Sequence, residues 1–134
     1  MNPEQSSQHD INAASHALDD DLRTKSHTLR ELGAWWRVNV FNYYGTPVTV
    51  DSVTVWNRHF CSSCVFELEG SVVKLFGVGN GNLLAESSAL TSDLIQTVDF
   101  GGPVTGVYWV QVQQESKSAP LQLAKIEAYG KVES

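Results

Sequence analysis

The chain has 134 residues, with 15 acidic against 9 basic side chains and a formal net charge of -6. Its 42% hydrophobic and 18% charged residues exclude a disordered acidic chain, and its length is that of one ordinary domain. The acidic balance argues against nucleic acid, which needs a basic footprint, and no apolar stretch approaches the roughly 20 residues that insert across a membrane.

The start, Met1 to Ser6, lacks the basic and apolar regions of a secretory signal, so the chain is expected to stay inside the cell or to be a trimmed form. Residues 1–21 carry Glu4, Asp10, Asp19, Asp20 and Asp21 with no Lys or Arg, whereas the other 113 residues hold ten acids and nine bases. The protein is nearly neutral behind an acidic entrance, of which residues 1–11 are expected to be a flexible segment. Asn12 to Leu18 has the pattern of one or two helical turns.

From Trp35 onward apolar residues recur at period 2. Trp36, Val38 and Val40 alternate with Arg37 and Asn39, and Val53 and Val55 with Ser52, Thr54 and Trp56, as in half-buried strands. Val72 to Val78 is a third apolar segment, closed by the turn signal Gly79-Asn80-Gly81-Asn82. Ser88 to Leu94 is ambiguous. Leu94 to Val98, then Val107 to Val112 after Gly101-Gly102-Pro103, and Leu121 to Tyr129 complete the set. Short strands spaced by turns predict an all-β chain, a single antiparallel sandwich or barrel over residues 1–134.

Two groups of residues could carry chemistry. Cys61-Ser62-Ser63-Cys64 would need a helix N-terminus to act as a redox pair, and two more ligands, for which His59 and His27 are the candidates, to hold zinc. Otherwise it is a local disulfide or two plain thiols in a loop. Asp19-Asp20-Asp21 repel one another unless water or a cation neutralises them, and hard oxygen ligands suit Ca²⁺. The glycine and distal Glu of an EF-hand are missing. Glu67 and Glu69 give no acid/base assignment, nucleophile elbows and phosphate loops are absent, and a non-enzyme is expected.

The order Ala17-Leu18-Asp19-Asp20-Asp21, Ser26-His27-Thr28, Trp35 to Val40 and Val53 to Arg58, followed by Gly106 to Val112 and Leu121 to Glu127, resembles the F-type lectins, or fucolectins. The double tryptophan eight residues after His27, with Asn57-Arg58 closing a later strand, carries most of the likeness. The resemblance implies a galactose-binding-like jelly roll, an extracellular setting and non-catalytic recognition of fucose or a related sugar. His27 and Arg58 match the family's sugar-binding histidine and first arginine. His59 and a bridge from Cys61 to Cys64 would complete the sugar-facing loops. Asp19 and Asp21 match calcium ligand positions, with backbone carbonyls of His16 and Thr24 as further donors.

Three departures are visible. Phe60 stands where the family has an Asp, Val65 where it has a second basic residue, and Lys125 where it has an acidic calcium ligand. The loop from Asp21 to His27 is also short, leaving out the aromatic that walls the family's sugar site. The Lys125 ammonium is therefore expected to enter the acidic pocket in place of the ion, with a weak calcium site using Asp20 as the rival. The expected partner is a saccharide or glycoprotein. The alternative is a lectin-fold domain that has lost sugar binding and serves as a structural or docking subunit beside other protein subunits. Trp35 and Trp56 fit either reading or plain core packing.

Overall fold

The computed structural model describes residues 2–40, 46–79 and 82–132. Its strands are β1 (Glu4–Gln5), β2 (Ser26–His27), β3 (Glu31–Leu32), β4 (Trp35–Asn39), β5 (Val48–Asn57), β6 (Ser71–Phe76), β7 (Leu83–Glu86), β8 (Ile95–Val107), β9 (Trp109–Gln114), β10 (Ser118–Ala119) and β11 (Gln122–Val132). A five-stranded antiparallel sheet runs in the order β1-β4-β9-β6-β7, and a four-stranded one in the order β2-β11-β5-β8. The pair β3 and β10 forms a small ribbon beside them.

Alternation of side chains explains why these segments pair as they do. Along β6 and β9 every second residue is buried, so one face of each strand points at the opposing sheet. Register aligns those faces into rows, with Trp36, Val112 and Val73 in one and Val38, Val110 and Leu75 in the next. Val50, Val53 and Val55 of β5 and Leu123 and Ile126 of β11 meet these rows from the other sheet, and all belong to one core. Trp36 is fully buried, and its indole N–H donates to the Ala14 carbonyl at 2.9 Å, satisfying the one polar atom that packing would strand.

One expectation is revised. The period-2 segments are strands, but residues 2–10 are tied down: Glu4 and Gln5 pair with Arg37 and Trp36, and the Ser6 and Ser7 hydroxyls both donate to Glu31. The helical turn expected within Asn12 to Leu18 is present as a short 3-10 helix over Ala14–Leu18, and Ala17 is wedged into the core. The expected turn at Gly79 to Asn82 includes Asn80 and Gly81, which lie outside the described residues.

Candidate functional site

At one end of the four-stranded sheet, adjacent strands bring together residues far apart in sequence. Gln122 at the start of β11 pairs with His27 of β2 on one side, and Leu123 pairs with Asn57 of β5 on the other. His27, Gln122 and Arg58 thus lie in neighbouring strand ends. Arg58 Nη1 donates to Gln122 Oε1 at 2.6 Å, Gln122 Nε2 donates to Glu67 Oε1 at 2.7 Å, and Arg30 Nη2 pairs with Glu67 Oε2 at 2.9 Å. Gln122 is buried, so both ends of its amide are spent in fixing its neighbours. Gln114 steadies the far end, donating to the backbone carbonyls of Glu67 and Glu69.

Asn57 shapes the loop that follows. It is 1% exposed; its amide donates to Val65 O at 2.9 Å, its side-chain oxygen accepts the Arg58 N–H at 2.8 Å, and its carbonyl accepts His59 Nδ1–H at 2.8 Å. Cys61 and Cys64 are joined in a disulfide with Cα atoms 5.3 Å apart. While that bond is intact, the pair offers no thiolate to a zinc ion. Phe60, where the resemblance expects an aspartate, has φ +62° and is 84% exposed. A bulky side chain held in the left-handed region at a loop tip is a strained conformation of the kind found at binding loops.

His27 is nearly buried, and its Nδ1 contacts the Thr28 carbonyl at 2.6 Å. A carbonyl only accepts, so Nδ1 carries the proton and the neutral ring offers Nε2 as an acceptor. Burial pushes the His27 imidazole below its ordinary value; the Thr28 carbonyl opposes this, and His9, Arg58 and Lys25 add to the lowering. The His9 ring stacks on His27 at 4.5 Å between centroids. His9, Lys25 and Gln122 had no signal of their own in the sequence, since strand pairing and the tethered N-terminal segment bring them to this end of the sheet.

Three of the expected calcium residues, Asp19, Asp21 and Thr24, are hydrogen-bonded to one another. Asp19 accepts the Asp21 N–H at 3.0 Å and the Thr24 hydroxyl at 2.5 Å, and Asp21 turns outward to Arg23 at 3.0 Å. His16 Nδ1 donates to the Lys25 carbonyl at 3.2 Å. Lys125 Nζ pairs with Asp20 Oδ1 at 2.9 Å and Glu127 Oε1 at 3.0 Å, with the Trp56 ring centroid 5.0 Å away. Lys125 is therefore raised well above the ordinary lysine value, first by its hydrogen bond with Asp20 and then by Glu127. Among the described residues no group of three His, Cys, Asp or Glu is placed to hold a metal. With the ammonium on its carboxylate, Asp20 is already spent as an oxygen ligand for Ca²⁺. Trp35 is likewise occupied: the Arg37 guanidinium lies 5.1 Å from its ring and 4.5 Å from that of Trp109.

Neither a family model nor a curated protein matches the sequence. Solved structures do match in fold. The lectin domain of lectinolysin, complexed with Lewis b antigen, superimposes with a TM-score of 0.80 at 24% identity, covering 98% of this chain and 93% of that one. A fucolectin from the serum of striped bass, Morone saxatilis, gives 0.77 at 21% identity over 99% of this chain and 46% of its own. The family 32 CBM of C. perfringens NanJ, in complex with galactose, gives 0.73 at 18% identity over 95% and 91%. The chain is thus a galactose-binding-like jelly roll, the fold shared by fucolectins and family 32 CBMs.

Proposed function

We propose that this domain binds a saccharide without chemical conversion, through the rim formed by His27, Arg58, His59 and the loop closed by Cys61 and Cys64. The observation that carries the reading is the chain of contacts from Arg58 through Gln122 and Glu67 to Arg30. Sugar hydroxyls need donors and acceptors already fixed in place, and a guanidinium held at one nitrogen keeps its remaining N–H groups free and oriented. His27 Nε2 supplies an acceptor beside them, and Phe60 with the disulfide offers an apolar surface for a sugar ring. Gln122 and Glu67 take over the orienting task that an aspartate at position 60 would perform. No divalent cation is needed in this reading, because Lys125 braces the acidic loop. Fold neighbours with Lewis b and galactose in their complexes support the choice of ligand class.

The test is a glycan array of neutral and charged saccharides probed with the purified domain and with Arg58→Ala. Binding by the native domain that falls at least about tenfold in the variant, the scale of losing hydrogen bonds from a charged group, is expected. A silent array with a folded domain would favour the structural or docking subunit instead.

A further inference from the structure

The rim holds two cations, Lys25 and Arg58, that no carboxylate among the described residues neutralises. His9 reaches it through the N-terminal segment: the His9 N–H donates to the His27 carbonyl at 2.8 Å, and the His27 N–H donates to the Asn12 carbonyl at 3.2 Å. Lys25 lies just before β2, with Nζ 3.4 Å from Asn12 Oδ1, a neutral acceptor. Arg58 also has a neutral partner, Gln122. Both cations are half-buried, yet among the described residues neither enters an ion pair. Glu67, the carboxylate behind Gln122, is spent on Arg30, and Asp10, next to His9, is exposed.

These charges act on one another. Burial and then Arg58 push Lys25 below its ordinary value, and Arg58 and Lys25 both bear on His27. Partly desolvated cations with neutral partners gain more from an incoming anion than exposed ones, since water no longer screens the contact. Guanidinium also matches a carboxylate or sulfate geometrically, donating two parallel N–H groups to its oxygens. We propose that the rim selects an anionic sugar, one bearing a carboxylate or sulfate, with Arg58 and Lys25 receiving the anion while His9 and His27 line its approach. This rests on the saccharide reading and narrows it to a ligand class.

Matched glycans separate the two. The native domain is titrated calorimetrically with a neutral galactosylated or fucosylated glycan, its sialylated form and its sulfated form. At least about tenfold tighter binding of a charged form is expected, shrinking as salt screens the contact. The preference should fall in Lys25→Gln and return in Lys25→Arg, with circular dichroism showing that each variant is folded. A preference for only the sialylated or only the sulfated form identifies the anion and supports the proposal. Neutral glycans bound as tightly as both charged forms would overturn it while leaving saccharide binding intact. Binding of none of the three would overturn both, and an unchanged preference in Lys25→Gln would remove Lys25 from the site.

Discussion

His27 combines two environments that ordinarily pull apart. Its ring is nearly buried on β2 with Lys25 and Arg58 bearing on it, so the neutral form is favoured, yet its Nδ1 is held by the Thr28 carbonyl, which favours the proton. The folded state therefore resists a proton that the unfolded chain accepts near the ordinary histidine value of about 6.5. Between that value and the lower folded one the unfolded chain binds more protons, so stability rises with pH and is lost as pH falls. Denaturant midpoints of the native domain are expected to fall as the pH is lowered through the ordinary histidine value of about 6.5. In His27→Gln the decline should be shallower. Equal declines would mean that His27 titrates alike in both states. Arg58 is the contrasting case: its partner Gln122 lies 64 residues away, beyond any local pattern. The sequence marks the guanidinium through its resemblance to the fucolectin pattern, but not what holds it.

At the scale of elements, legibility followed length and alternation. The segments around Val38, Val55, Val73, Val110 and Ile126 were readable because each buries one face against a second sheet, which forces the apolar period. Two-residue strands such as β1, β2, β3 and β10 bury too little to leave a period, and their pairing is set by the partner strand. The N-terminal lead-in illustrates this, since polar residues such as Glu4, Ser6 and Ser7 join the fold by hydrogen bonds that carry no hydrophobic signature. The disulfide loop after β5 is the element whose function and stability separate most clearly. Cys61 and Cys64 close a ring spanning a sequence separation of three, so the loop-entropy contribution is at most about 2 kcal/mol. The bridge instead fixes the turn beside the outward Phe60. Replacing both cysteines by serine should shift the unfolding free energy by no more than about that amount while weakening saccharide binding severalfold. Unchanged affinity, or global unfolding, would show that the ring does something other than shape the rim.

For the molecule as a whole, charge distribution matters more than its total. Five net negative charges lie in the first 21 residues, and the loop carrying three of them packs near β11, whose Lys125 reaches back to Asp20. Asp20 is held at φ +60° and its carboxylate meets that ammonium at 2.9 Å. The loop is thus joined to the four-stranded sheet by a cation belonging to the chain. A bound ion would stabilise the fold in proportion to its concentration, because it binds only the native state, whereas an internal ammonium contributes the same at every calcium level. The native domain should consequently melt at one temperature with chelator and with millimolar calcium. Lys125→Asp reverses the local balance, setting a third carboxylate beside Asp20 and Glu127 with no cation to offset them. That variant should be less stable in chelator and should regain part of the loss when calcium is added. Calcium-dependent melting of the native domain would remove Lys125 as the brace. A Lys125→Asp variant insensitive to calcium would show that the loop lacks the oxygen geometry even when the charge is supplied.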